Sequence, residues 1–261
     1  PNTVQNRAIR SFLGVHRYAS NVAIQGDVGW KWPVVRRKLE MMKLLKRLLL
    51  MSGDRLTKKI FIWDWHHKSR TWSWYVRSVL KSTGQDAVCD IDPSAEEPDI
   101  DFNTLFDQVD QELMNVEIEK WHAEMGRQSK LHIYRELKTD FIPEPYVVSN
   151  MSKSSRSFIA QLRTGTLPLM VEVGRFQQKK REERTCPYCK GETIEDEMHF
   201  IFSCPLYANF RDDFMDRINN RINIANKSNM EKMGIFMEHS IFGSFIRDCY
   251  YKRSDYIFNT T

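Results

Sequence analysis

The sequence predicts a mainly α-helical fold, because apolar residues recur at three- and four-residue steps and the alternation typical of strands is scarce. Its 261 residues are 41% hydrophobic and 12% aromatic, which is enough for a buried core and excludes a mainly disordered or collagen-like chain. No apolar run approaches the ~18 residues of a membrane-spanning helix. The clearest helical stripe consists of Val35, Leu39, Met42, Leu45 and Leu49.

That stripe defines the first predicted helix, which begins at Pro33 because a first helical turn does not need the N–H that proline lacks. Residues 52–54 end this helix, and Asp54 is a candidate N-cap for the next one. The second helix carries an apolar stripe that we expect to pack in the core, formed by Leu56, Ile60 and Trp63.

The remaining helices are predicted from the same periodicity. A third helix is expected to open at Ser69 or Thr71. A fourth covers 103–126, and its apolar face consists of Leu105, Val109, Leu113, Val116 and Trp121. Shorter helices are expected over 129–139, 152–163, 206–223, 229–238 and 241–251.

The net charge of +5 hides a strong segregation of charge along the chain. Residues 1–84 carry 17 basic and 4 acidic side chains, a net charge of +13, whereas residues 85–120 carry 1 and 12, a net charge of −11. Residues 151–190 carry 9 and 3, a net charge of +6. We therefore expect two basic surfaces separated by an acidic segment. The expected domains are a basic helical region over 1–84, an acidic linker over 85–102, a helical middle over 103–150 and a C-terminal region over 151–261.

Three of the five cysteines lie close to a histidine in the pattern C-x2-C-x9-H-x4-C, formed by Cys186, Cys189, His199 and Cys204. An odd number of unevenly spaced cysteines is a poor disulfide framework and favours a reducing compartment. A C-x2-C turn directs two thiolates to one edge of a tetrahedral metal site, and Gly191 supports the turn that brings the chain back. Four protein ligands leave no open position for water. We therefore predict a structural Zn²⁺ in a small C-terminal zinc knuckle, made of a short β-turn and a helix.

The residues around the cluster predict how the chain enters and leaves it. The acidic segment 195–197 precedes His199, which suits the positive N-terminal end of a short helix. His199 and Cys204 are then about one helical turn apart. Pro205 comes after the last ligand and is expected to break the helix or bend its exit.

Basic side chains collect on the helix predicted from Pro33 and in the segment that leads into the cysteines. Cations bind phosphates and aromatic rings stack on unpaired bases, so Phe176 and Tyr188 are candidates for stacking. The alternative is a solvated, charged loop that offsets the anionic cysteine site. The candidate nucleic-acid contacts are Arg36, Arg37, Lys43, Lys46, Arg47, Arg163, Arg175, Lys179, Lys180, Arg181, Arg184 and Lys190.

Several stretches resemble a known family. LRTGTLPLMVEVGRF, REERTCPYC and IEDEMHFIFSCPLYANFR resemble the C-terminal region of LINE-type (non-LTR) retrotransposon reverse transcriptases. RSFLGVHRYASNVAIQGDVGW, nearer the N-terminus, resembles the segment after the polymerase core in such proteins. The resemblance implies that the basic surface engages RNA or target DNA. It also implies that the zinc ligands are Cys186, Cys189, His199 and Cys204.

The chain departs from that family at the catalytic residues. Reverse transcriptases need an aspartate pair in an apolar hairpin to hold two divalent metals. The one Asp-Asp pair here, Asp212 and Asp213, has a charged, helical context, and no endonuclease-like set of motifs is present. The parent family is enzymatic, whereas this chain is expected to lack both active sites; whether it is an enzyme stays open.

The sequence therefore predicts the non-catalytic, nucleic-acid-binding C-terminal part of a retrotransposon reverse transcriptase, with a structural zinc. The alternative is a protein-interaction module, or a domesticated or remnant fragment, with a purely structural zinc site. A start at Pro1 rather than Met favours a fragment or a processed chain. Its expected partners are RNA or DNA and, for a fragment, the rest of the polypeptide. We expect no membrane partner and an intracellular location, either cytoplasmic or nuclear.

Overall fold

A computed structural model describes residues 2–67, 70–189, 193–219 and 222–260. The chain is about 70% helical. The described residues contain one isolated antiparallel bridge, between Thr185 and Ile194, and no extended strand. The prediction of a mainly α-helical fold is thus confirmed. Within the described ranges, no helix is both long enough and apolar enough to cross a membrane.

Thirteen α-helices run through the described residues, joined by short 3-10 turns and loops. Four residues singled out from the sequence, Pro1, Ser69, Lys190 and Gly191, lie outside the described residues. In chain order the helices are α1 (Asn2–Leu13), α2 (Asn21–Val28), α3 (Pro33–Leu49), α4 (Leu56–His66), α5 (Trp72–Ser82), α6 (Phe102–Arg127), α7 (His132–Leu137), α8 (Pro145–Val148), α9 (Lys153–Arg163), α10 (Met170–Phe176), α11 (Ala208–Asn219), α12 (Asn229–Met237) and α13 (Ser240–Thr260).

The predicted helix bounds agree with these elements at several points. Helix α3 begins at Pro33, and α6 matches the helix predicted over 103–126 within one residue at each end. Ser152 caps α9, because its hydroxyl accepts a hydrogen bond from the Ser155 amide at 3.1 Å. The predicted end of the last helix at 251 is wrong. Helix α13 continues to Thr260, and the added turns bury the side chain of Arg253.

The chain divides into two compact units. Unit 1 includes residues 31–122, and unit 2 consists of residues 3–30 and residues from 123 onward, so the division falls within α6. The domain boundaries predicted after residues 84, 102 and 150 stay a prediction.

Unit 1 packs α3, α4 and α5 against one another. Lys46 of α3 lies over two rings of α6, with Nζ 5.3 Å from the centre of Phe102 and 5.8 Å from that of Phe106. Lys31, where the segment 31–122 of this unit begins, makes an ion pair with Asp110 of α6. The large buried side chains of the unit include Trp32, Met42, Leu45, Phe61, Trp65, Val76, Leu80, Val109 and Trp121.

Helix α4 presents a different face to the core from the one predicted. Leu56, Ile60 and Trp63 are exposed by 71%, 57% and 59%, so the prediction that this stripe packs in the core is wrong. The buried residues of α4 are instead Lys58, Phe61 and Trp65.

The ammonium group of Lys58 explains why this other face of α4 is buried. Its Nζ donates hydrogen bonds to the carbonyl oxygens of Leu48 and Leu49, at 3.1 and 2.7 Å, where α3 ends. The last carbonyls of a helix have no partner within the helix, so a buried lysine that satisfies two of them fixes which side of α4 faces α3. Burial also lowers the pKa of Lys58.

The start of α4 differs from the prediction, whereas the start of α5 after Thr71 agrees with it. Arg55, rather than Asp54, stands at the N-cap of α4. Thr71 stands at the N-cap of α5 but makes no side-chain cap bond. The carboxylate of Asp64, on α4, accepts the Ser73 amide at 2.9 Å and also its hydroxyl. The first turn of α5 is therefore satisfied by the preceding helix.

Unit 2 has one continuous core, in which α9 and α13 pack against each other over an extensive contact. Gly243 on α13 allows this approach, because a Cβ built there would lie 2.5 Å from the carbonyl oxygen of Ser155 on α9. Four phenylalanine rings pack beside this crossing, and Phe214 stacks on Phe245 with ring centres 4.7 Å apart. The cysteine cluster belongs to the same core, which includes Cys186 and Cys204.

Candidate metal centre and basic clefts

The four predicted ligands come together in unit 2. One ligand atom from each of Cys186, Cys189, His199 and Cys204 lies within 4.8 Å of the others. The Sγ atoms of Cys186 and Cys204 are 3.9 Å apart, and Sγ of Cys189 is 3.5 Å from Nε2 of His199. A tetrahedron with metal–sulfur bonds of ~2.3 Å and a metal–nitrogen bond of ~2.0–2.1 Å has edges of about 3.8 and 3.5 Å. These two edges match such a site, and the cluster could hold a metal ion.

A short antiparallel pairing delivers the first two cysteines. Thr185 and Ile194 form the bridge, the Cys186 amide donates to the Thr193 carbonyl at 2.8 Å, and the Glu195 amide donates to the Arg184 carbonyl at 2.9 Å. These bonds align the two arms on either side of the C-x2-C turn. The expected tight turn after Cys186 is confirmed for its described residues.

A single wide helical turn delivers the other two ligands. The Asp196 carboxylate accepts the His199 amide at 2.9 Å, and the Cys204 amide donates to the His199 carbonyl at 2.8 Å across a π-type turn. Cys204 then becomes extended, and Pro205 starts a 3-10 turn. The predicted exit bend at Pro205 is confirmed, since the residue before a proline disfavours helical geometry.

Two arginines that are distant in sequence hold the knuckle in the core. Arg253 of α13 makes a bidentate pair with the Glu195 carboxylate, with both N–O distances 2.7 Å, and the two residues are 7% and 1% exposed. Arg211 of α11 donates to the carbonyls of Ile201 and Cys204 at 2.9 and 2.6 Å. The sequence predicts Glu195 to be one of the acidic residues at a helix start. Its pairing with Arg253 was not predicted, because the two residues are 58 positions apart and no local pattern links them.

The electrostatics of the cluster favour a thiolate. A hydrogen bond from Cys204 lowers the pKa of Cys186, whereas the same bond raises the pKa of Cys204. The metal-binding form of cysteine is the thiolate. Nδ1 of His199 is buried and has no hydrogen-bond partner in the part of the chain that the structure describes.

The first predicted basic surface lies on α3 in unit 1. Arg36, Arg37, Lys43 and Arg47 are exposed, and Lys43 pairs with Glu40 of the preceding turn. Lys46 is half-buried, with its ammonium group over the rings of α6. A cleft of about 400 Å³ lies beside this surface, and its lining includes Arg37, Lys38, Trp72 and Tyr75.

The second predicted basic surface extends from α10 to the knuckle in unit 2. Arg175 pairs with Glu172, and Arg181 lies 3.4 Å from a carboxylate oxygen of Asp196. Arg184 donates from Nε and Nη2 to the Lys179 carbonyl and from Nη1 to the Val171 carbonyl. The exposed side chains of this surface are Phe176, Lys179, Lys180, Arg181 and Tyr188.

Arg163 does not belong to either basic surface. Its side chain is buried, with Nη2 3.0 Å from Oδ1 of Asp27 and 3.1 Å from Oε2 of Glu144. Its Nε lies 3.2 Å from both oxygens of Asp27. In this arrangement the guanidinium group is not accessible to a phosphate, so we leave Arg163 out of the candidate contact surface.

The two candidate stacking residues differ in their surroundings. Phe176 is 65% exposed, whereas Tyr188 is 36% exposed, with its ring centre 5.2 Å from that of Tyr256. The Asp212–Asp213 pair lies on the exposed side of α11, and Asp213 pairs with Arg217 one turn later. The expected helical, charged context of this aspartate pair is thus confirmed.

Comparison with known proteins adds no family to this picture. A scan against protein-family models and searches of curated proteins and of solved structures found no match for this chain.

Proposed function

We propose that the cysteine–histidine cluster binds one zinc ion in a structural role. The observation that supports this is the pair of ligand–ligand distances, 3.9 Å for sulfur–sulfur and 3.5 Å for sulfur–nitrogen, which fit the edges of a tetrahedral zinc site. Three cysteines with one histidine are a frequent zinc ligand set, and four protein ligands leave no open position for a substrate. When bound, the ion would cross-link the two arms of the knuckle.

Metal analysis of the purified chain tests this proposal. We expect about one zinc per chain, its loss in Cys189→Ser, and its retention in the matched variant Cys89→Ser, whose thiol lies in unit 1. Chelation should lower the thermal midpoint of the wild type, because binding of a structural metal is coupled to folding. A purified, reduced chain that takes up no zinc would contradict the proposal.

We propose further that the chain binds nucleic acid. The observation that carries this proposal is the cluster of cations on α10 and the segment after it, next to the knuckle. These cations are Arg175, Lys179, Lys180, Arg181 and Arg184. Lys179 and Lys180 are exposed and have no carboxylate partner among the described residues, so they are available to backbone phosphates. Zinc would fix the shape of the adjoining knuckle, and binding itself would be electrostatic.

Charge-neutralising variants test this function. The double change Lys179→Gln and Lys180→Gln should weaken binding of a fluorescent oligonucleotide, measured by anisotropy at low salt, because two phosphate contacts are lost. The matched control, Lys153→Gln with Lys227→Gln, removes two exposed lysines of the same unit from other segments. Equal losses in both double variants would show a non-specific charge effect and contradict the proposed surface.

We propose as its origin the C-terminal region of a LINE-type retrotransposon reverse transcriptase. The support is the resemblance of the motifs around the four ligands and of the stretch that begins at Arg10. Sequencing of the gene upstream of the first codon tests this origin. An open frame with an Asp-Asp polymerase motif is expected, and an upstream frame without one would contradict it.

One observation favours a second function, protein binding. The exposed face of α4, formed by Leu56, Ile60 and Trp63, is an apolar patch in unit 1. Binding that depends on this face should depend little on salt, whereas binding to nucleic acid should weaken steeply as salt rises. Salt dependence therefore separates the two functions.

A further inference from the structure

We propose that unit 2 contains a site for one unpaired nucleotide of a single-stranded nucleic acid. The base would stack on the exposed ring of Phe176, beside that of Tyr18, and its phosphate would lie at Lys130. This inference rests on the nucleic-acid function proposed above, and it adds a subsite whose Tyr18 and Lys130 were not singled out from the sequence.

The base would enter an open cleft of about 400 Å³, which lies between the loop after α1 and helix α10. Tyr18 and Phe176 are 52% and 65% exposed, and their ring centres are 5.9 Å apart. His16 lies on the other side of Tyr18, with ring centres 4.7 Å apart. Exposed aromatic rings beside an open cleft are the usual platform for an unpaired base, because every base has a π-face.

Neighbouring cations hold the tyrosine in place before any ligand binds. Nη2 of Arg17 donates to the hydroxyl of Tyr18 at 2.7 Å, and its guanidinium carbon is 4.8 Å from the ring centre. Nζ of Lys130 donates to the backbone carbonyl of Tyr18 at 2.9 Å. The stacking platform is thus linked directly to a lysine.

That lysine belongs to a second, cationic cleft of about 260 Å³. Lys130 is half-buried, and among the described residues no carboxylate lies within ion-pair distance of its Nζ. Burial and the nearby charges of Arg175 and Arg10 lower its pKa. An anion in this cleft would offset that repulsion. The charged groups that line the cleft are Lys130, Arg175, Arg181 and Arg184 and two acids, Glu172 and Glu197.

The two clefts lie side by side. Glu172 lines both of them, and its carboxylate is already paired with Arg175. A nucleotide carries an apolar, stacking base and an anionic phosphate within one unit, which matches an aromatic cleft next to a cationic one. A base pair in a duplex hides the face of its base, so the occupant that fits both clefts is an unpaired strand.

Binding of a mixed-sequence oligonucleotide tests this site, in three forms: single-stranded RNA, single-stranded DNA and the duplex of the same sequence. Phe176→Ala should weaken single-strand binding roughly 5- to 100-fold, as loss of one stacking residue does, and leave duplex binding unchanged. The control Phe258→Ala removes a ring of α13 that is 84% exposed in the same unit, and it should change neither. Lys130→Gln should lower the salt dependence of single-strand binding by about 0.7 in log–log slope.

The outcomes separate this inference from the function on which it rests. If the wild type binds single strands but Phe176→Ala and Phe258→Ala bind them equally well, the nucleotide site is wrong and the general function stands. If Phe176→Ala weakens single-strand and duplex binding equally, the stacking role is also wrong. If the wild type binds none of the three probes, both proposals fail. A preference for the RNA or the DNA strand, retained with the Phe176→Ala loss, identifies which strand supplies the nucleotide.

Discussion

Removal of the buried guanidinium group of Arg163 should destabilise unit 2 strongly. In Arg163→Met, a flexible apolar side chain replaces a cation that makes hydrogen bonds to Asp27 at 3.0 and 3.2 Å and an ion pair with Glu144 at 3.1 Å. Asp27 is 0% exposed, so water cannot replace the lost partner. Each acid keeps at least one other partner: Tyr146 donates to Asp27 at 2.6 Å, and Lys138 to Glu144 at 2.6 Å.

The size of the expected effect depends on this arrangement. Breaking a buried ion pair from one side costs about 3–5 kcal/mol, and the two remaining donors place the value near the lower end of that range. In a unit of this size, a loss of about 3 kcal/mol lowers the thermal midpoint by roughly 6–12 °C. The control Arg181→Met removes an exposed arginine, 3.4 Å from Asp196, and should cost about 0–1 kcal/mol.

Urea unfolding followed by far-UV circular dichroism measures the effect. The double variant Asp27→Asn with Arg163→Met should recover part of the loss, because no unpaired charge then remains at residue 27. If Arg163→Met unfolds within about 1 kcal/mol of the wild type, as a surface change does, the reasoning is refuted, since Arg163 would then not be a buried partner of Asp27.

Three further experiments test the packing of the helices, the buried lysine of α4 and one buried thiol. Gly243→Ala should lower the free energy of unfolding by about 1–3 kcal/mol, because the added Cβ forces α13 away from α9. Gly234→Ala should not lower it, since the added Cβ would meet its nearest atom at an ordinary 3.6 Å. Thermal unfolding of both variants measures the difference. Lys58→Met should cost about 1–3 kcal/mol in urea unfolding, because two carbonyls at the end of α3 lose their buried donor; unchanged stability would contradict the capping role. Iodoacetamide should label Cys249 at neutral pH only after unfolding, because burial raises the pKa of its thiol; mass spectrometry of the folded chain would reveal any earlier labelling.

The elements that could be predicted are those with strong local signals. Helix α3 combines an N-terminal proline with a long apolar stripe, and both features act within a few residues of each other. The four ligands could be found because ligand type and spacing are themselves the chemistry of the site. The bend at Pro205 could be predicted from the backbone of proline alone.

The features that could not be predicted depend on distant partners. Helix α4 has two faces of similar apolar content, and the choice between them is made by a lysine that caps another helix. The sequence around Arg163 predicts a basic surface residue, because its buried partner Asp27 lies 136 residues earlier in the chain. The same holds for Glu195 and Arg253, whose pairing exists only once α13 has packed against the knuckle.

The most direct test of the central proposal is the salt dependence of nucleic-acid binding by the intact, zinc-loaded chain. A plot of log K against log salt concentration for a single-stranded oligonucleotide should fall linearly, with a slope of about −0.7 for each phosphate that the chain neutralises. If at least Lys179, Lys180 and Lys130 each contact one phosphate, the slope should be about −2 or steeper. A slope near zero would contradict the proposed function.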